Sequence, residues 1–105
     1  MARVCLIDDD ATQLEVRRLI LEHAGHTIVE PGDAADAVVM DLHIPSLEQG
    51  LAVIRQQHGR SRICILSGLA HDLNGRPEAQ MVEKILTKPV RTETLLKWLA
   101  LVSLG

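Results

Sequence analysis

The chain alternates short apolar runs with longer stretches of mixed polarity. Five runs stand out: "RVCLI" (3–7), "HTIV" (26–29), "AVVM" (37–40), "RICIL" (62–66) and "KIL" (84–86). Runs of this length, rich in Val and Ile, predict strands buried on both faces. After the first run, "ATQLEVRRLILEHAG" (11–25) sets Val16, Leu19, Ile20, His23 and Ala24 at helical spacing, and Gly25 supplies a stop. "LEQGLAVIRQQHG" (47–59) predicts a helix from Leu47 to Gln57 closed by Gly59, and "RPEAQMVE" (76–83) a short one with Pro77 in its first turn. "RTETLLKWLALVSL" (91–104) predicts the last helix, with Leu95, Leu96, Leu99 and Val102 on one stripe and Thr92 as its N-cap. Strands alternating with helices predict an α/β fold of parallel strands with helices on both faces.

In such open sheets the functional crevice lies at the carboxyl ends of the strands. Asp8 follows the first predicted strand, Asp41 the third, Ser67 the fourth and Lys88 the fifth, and Asp9 and Asp10 extend the first cluster. A lone Asp or Ser at a strand end is ordinary solvated polarity. Acids, a hydroxyl and an ammonium converging from four strand ends predict a site. Adjacent carboxylates suit a hard cation, and Mg2+ fits best because it takes one or two carboxylates and keeps several waters. A lysine and a serine opposite the metal suit a phosphoryl group, and a carboxylate among them can act as the nucleophile.

Composition narrows the reading. At 105 residues the chain is one domain, 1–105, with 47% hydrophobic residues and Trp98 as its only aromatic, so the core must be aliphatic. A net charge of −3 argues against direct nucleic-acid binding, which needs a basic face. The absence of a long apolar run or signal-peptide pattern predicts a cytoplasmic protein with no membrane contact. Cys5 and Cys64 lie inside apolar runs and read as buried small hydrophobes. The five histidines share no metal-ligand spacing, and His23 and His26 read as a solvated helix end.

"LIDDD" (6–10), "VVMDLHIP" (38–45), "CILSG" (64–68) and "LTKP" (86–89) stand in the order and strand positions of the receiver domains of bacterial response regulators, which the whole chain resembles. The resemblance implies a flavodoxin-like sheet of five strands in order 2-1-3-4-5. It implies phosphoryl transfer to Asp41 from a sensor histidine kinase or a histidine phosphotransfer protein. Asp9, Asp41 and the backbone carbonyl of His43 would hold Mg2+, with Asp8 acting through water. Ser67 would hydrogen-bond the phosphoryl group and Lys88 would pair with its charge, the Lys88–Pro89 peptide being cis. Asp10 would open the first helix, where a negative side chain meets the positive helix end. Output would pass through a downstream protein or a second copy of the chain, with no enzymatic or DNA-binding domain following. Such a domain is not an enzyme beyond its own phosphorylation and dephosphorylation.

The chain departs from that family in three places. Ile85 stands where receivers carry the Tyr or Phe that swings inward on phosphorylation, and Met81 and Val82 replace a Gly-Ala pair. The link "PGDAADA" (31–37) is too short for a crossover helix, so the second helix of the family should be lost or reduced to a turn. A sheet face including Ala35 and Val38 would then be uncovered and serve as a partner surface. Two rival readings follow. One is a receiver-like interaction module that is never phosphorylated. The other is a haloacid-dehalogenase-type phosphatase, since "LIDDDAT" matches an apolar strand followed by Asp-x-Asp-x-Thr, with Asp8 as nucleophile and Asp10 as acid/base.

Overall fold

Strands that are apolar on both faces must be covered twice, and among the described residues three α-helices do this. The computed structural model describes residues 1–68 and 70–104, Ala70 by its backbone alone. β1 (Arg3–Ile7), β2 (Thr27–Val29), β3 (Ala37–Asp41), β4 (Arg62–Ser67) and β5 (Lys84–Thr87) form one parallel sheet in the order β2-β1-β3-β4-β5. The helices are α1 (Ala11–His23), α2 (Leu47–Gln57) and α3 (Thr92–Leu104). This is the expected flavodoxin-like arrangement. Ile7 pairs in register with Met40, Asp41 with Leu66 and Ser67 with Thr87, so the strands finish nearly level at their carboxyl ends.

One face of the sheet buries Val4, Leu6, Val39, Cys64 and Leu66 against Leu21 of α1 and Leu95, Trp98, Leu99 and Val102 of α3. The start of α1 is fixed by Asp10, whose Oδ1 accepts the N–H groups of Thr12 (3.0 Å) and Gln13 (3.2 Å). Gly25, at φ +97°, ends the turn that follows it. The phase of α1 differs from the sequence reading. Leu14, Arg17 and Leu21 face inward, whereas Val16 and Leu19 are 50% and 56% exposed, and His23 and Ala24 lie on the surface. The spacing pattern alone allowed either stripe; the cap two residues after Asp8 decides which one meets the sheet.

Three smaller expectations also change. His26 is half-buried rather than solvated, and its Nδ1 accepts the Ala2 N–H at 3.1 Å. Thr92 is the first residue of α3 rather than its cap, and the Arg91 carbonyl takes the N–H groups of Thr94 and Leu95. The segment 76–83 forms only a 3₁₀ turn, Pro77–Gln80, preceded by another at Ala70–Leu73. Glu78 in the later turn ties it to α2 through Arg55, 2.8 Å away, and this bond holds the Glu78 carboxyl below the usual carboxylate range.

The link between β2 and β3 carries no helix, as its length requires. Asp33 turns it back on Glu30, and Asp36 fastens it to the Arg3 N–H at 2.8 Å. The face behind it is nevertheless not open. Val38 is 1% exposed, because Leu51 and Ile54 of α2 pack over Cys5, Val38 and Met40, and Ala35 and Val53 close the margin. Gly50 permits this seating: a Cβ there would lie 1.7 Å from the Leu42 carbonyl oxygen. The expected uncovered partner surface through Ala35 and Val38 is therefore absent.

At the amino ends of the strands, Arg62 of β4 binds Glu83 through Nε and Nη2, and the Trp98 indole N–H donates to the same carboxylate at 3.1 Å. Arg62, more than Trp98, holds the Glu83 carboxyl below its usual range. This bond joins β4, β5 and α3 at the end remote from the acidic residues.

Candidate functional site

The carboxyl ends of β1, β3, β4 and β5 bring Asp8, Asp9, Asp41, Ser67 and Lys88 to one edge, as their spacing predicts. Asp41 closes β3, and its two oxygens have different partners. Oδ2 lies 2.7 Å from Lys88 Nζ, and Oδ1 accepts the His43 N–H at 3.3 Å. Lys88 is aligned by its own backbone, whose N–H donates to the Ser67 carbonyl at 3.0 Å. That bond sets Ser67, 1% exposed at the last position of β4, beside the lysine. The Lys88–Pro89 peptide is cis, and so is Ile44–Pro45.

Asp8, Asp9 and Asp41 each offer a carboxylate oxygen within 4.8 Å of the other two. An octahedral Mg2+ shell spans about 4.2 Å across, so these hard oxygen donors, with water, suit that ion. The donor set contains no thiolate or imidazole nitrogen, which disfavours softer metals. His43 follows Asp41 by two residues, and its carbonyl is the further oxygen that the resemblance assigns. Its imidazole turns elsewhere: Nε2 lies 3.1 Å from Asp72 Oδ2, in the turn after β4. The two cysteines are buried in opposite layers, and burial pushes the Cys64 thiol up to about 12 and raises that of Cys5, so neither is a ready nucleophile.

Two participants were missed from sequence. Asp72 was hidden because nothing in its surroundings marks it as the partner of His43. Arg17 carried a signal that was overlooked: a charged residue three after Leu14 and four before Leu21, on the inner stripe of α1. Its Nη1 lies 3.3 Å from Asp8 Oδ2, and the two side chains are 15% and 3% exposed. Asp8 Oδ1 accepts the Asp10 N–H at 2.9 Å, so both oxygens of Asp8 are engaged.

The order of strands and the placing of helices around them are also those of known structures. A CheY-like response regulator receiver domain from Methylobacillus flagellatus superposes with a TM-score of 0.81 at 22% identity, covering 97% of this chain and 98% of that one. This chain has the receiver-domain fold. A two-component response regulator from Clostridium difficile shares the fold with a TM-score of 0.82 at 15% identity, covering 97% and 95% of the two chains. The response regulator TrrA from Thermotoga maritima, solved with Mg(2+)-BeF, shares it at 0.75 and 17% identity over 97% and 99%. No family model matches the sequence, and no curated protein does. Within the receiver fold, residues between β4 and β5 here form 3₁₀ turns, and β5 carries Ile85, 38% exposed.

Proposed function

We propose that the chain is a phosphoacceptor module in which Asp41 takes a phosphoryl group from a phosphohistidine of a sensor histidine kinase or histidine phosphotransfer protein. The observation that carries this reading is the Asp41 carboxylate, placed 2.7 Å from Lys88 and beside the oxygens of Asp8 and Asp9. A carboxylate oxygen of Asp41 attacks phosphorus, the bond from phosphorus to the donor breaks, and the donor leaves with the electron pair. Lys88, paired with Asp41 before transfer, pairs afterwards with the phosphoryl oxygens, and the Ser67 side chain hydrogen-bonds one of them. Asp9, Asp41 and the His43 carbonyl would hold Mg2+, which would supply positive charge against the negative charge that gathers during transfer. Asp8 would support that ion through water.

The module works in the cytoplasm by protein contact rather than on a substrate of its own, and among the described residues no helix is long and apolar enough to cross a membrane. The phosphatase reading loses support because Asp10, its required acid/base, is occupied in capping α1. Ile85 favours a second reading, an interaction module that is never phosphorylated, because no ring is available to couple the site to β5. Intact mass after incubation with acetyl phosphate and Mg2+ distinguishes them. The wild-type chain should gain one phosphoryl group and Asp41→Asn none. Labelling lost in Asp8→Asn but kept in Asp41→Asn would favour the phosphatase, and no labelling of the wild type the interaction module.

A further inference from the structure

Arg17 is the feature of the site that the proposed chemistry does not use. It sits two turns into α1, and long helical side chains lean back toward the amino end, here toward Asp8. The pair is nearly dry, with Arg17 15% and Asp8 3% exposed. A carboxylate that far from water is costly without a counter-charge, so Asp8 needs this partner whenever no cation is bound. Three carboxylates facing Arg17 and Lys88 leave one net negative charge at the strand ends; without Arg17 they would leave two.

We propose that Arg17 is a resident counter-ion that competes with a divalent cation for Asp8 and thereby sets a weak affinity for that cation. The inference rests on reading the acidic cluster as a Mg2+ site. Both Asp8 oxygens are already engaged, so a cation whose bound water reaches that carboxylate must share it with the guanidinium or displace the guanidinium. Arg17 has somewhere to go. It also lines a cleft of about 120 Å³ between α1 and α3, where Gln13 and Thr92 offer polar atoms. Cation binding and the seating of α1 are therefore linked through one side chain. Arg17 is a positioning residue: it acts through Asp8 and needs no contact with the phosphoryl group.

Calorimetric titration with MgCl2 tests this on the wild type, Arg17→Gln, Arg17→Met and Arg17→Lys, each checked for folding by circular dichroism. Removing a like charge a few ångströms from the cation should tighten binding about ten-fold in the Gln and Met variants. The Lys variant, which keeps the charge, should stay within about two-fold of wild type on the same grounds. Melting in EDTA should be lower for Gln and Met than for wild type, with more of the loss recovered by Mg2+. A purely structural arginine would give the lower melting with unchanged affinity. The wild type supplies a second readout that no folding defect can obscure: the Arg17 side-chain Nε–H resonance should shift during the titration. Folded Gln and Met variants with wild-type or weaker affinity, or an Arg17 resonance indifferent to a cation that binds, would overturn the proposal while leaving the site reading intact. No Mg2+ binding in wild type or any Arg17 variant would overturn the site reading and this inference with it.

Discussion

Lys88 Nζ lies 2.7 Å from Asp41 Oδ2, joining residues 47 positions apart in the chain at the edge where the parallel strands end. The lysine is 38% exposed and its partner 14%, so the pair is screened and contributes little to folding. In the proposed phosphoryl transfer its significance is chemical. Lys88→Met should therefore leave stability within about 1 kcal/mol of wild type, while phosphorylation by acetyl phosphate slows at least about ten-fold, the usual minimum for losing a charged hydrogen bond. Denaturant unfolding and time-resolved intact mass measure the two effects separately. A variant that is labelled at the wild-type rate would remove Lys88 from the mechanism.

Gly50 is where α2 meets the backbone of Leu42, with 1.7 Å between a hypothetical Cβ and the carbonyl oxygen. Ala is the better helix former by about 1 kcal/mol, yet Gly50→Ala should destabilise the fold by about 3 kcal/mol, because the obstacle is backbone and cannot rotate away. Urea unfolding gives the sign directly. A stabilised variant would mean that α2 sits farther from β3 than described.

The inner stripe of α1 can be checked by truncation. Leu21, fully buried, should cost about 2–4 kcal/mol as Leu21→Ala, whereas Val16→Ala should change stability by less than about 0.5 kcal/mol. The reverse ranking would restore the stripe through Val16 and Leu19.

All five strands and the convergence of Asp8, Asp41, Ser67 and Lys88 were legible because a parallel strand's apolar run ends where its polar residues begin. The missing crossover helix was legible from chain length between "HTIV" and "AVVM". What those signals cannot carry is rotation and neighbourhood. Two apolar stripes one residue apart compete on α1, and only the Asp10 cap and the Asp8–Arg17 pair choose between them. Likewise the cover over Val38 comes from α2, whose close approach depends on a single missing Cβ. The partner of His43 lies 29 positions downstream in a turn with no periodic signal, which only the folded chain brings near.

Stability should fall on the acid side through Glu83. Its folded carboxyl titrates below the ordinary value of 4.5, first because Arg62 hydrogen-bonds the charged form. A depressed carboxyl stabilises the fold fully above its unfolded value, and the contribution fades as pH drops through the lower folded one. Glu83→Gln should therefore be less stable than wild type at pH 7, and the gap should narrow below pH 4.5. Unfolding at several pH values checks this, and a gap that stays constant with pH would contradict it.

His43 lies two residues after the proposed phosphoryl acceptor Asp41, with its imidazole held by Asp72 at 3.1 Å. His43→Ala and Asp72→Asn should then change the rate of dephosphorylation in the same direction, because the second frees the ring that the first deletes. Loss of the phosphoryl mass with time measures both. Equal rates for wild type and His43→Ala would make the residue an ordinary loop histidine.

Trp98 is the chain's one aromatic side chain, and its indole N–H rests on Glu83 at the amino ends of the strands. The molecule thus holds a single intrinsic fluorophore, uncontaminated by tyrosine emission, in contact with the core yet at the opposite pole from the acidic cluster. Its emission will follow the parting of α3 from β4 and β5 as one clean signal. Events at Asp41 reach it only if they travel the full length of the sheet, so a change in Trp98 emission on phosphorylation would itself be a measure of long-range transmission.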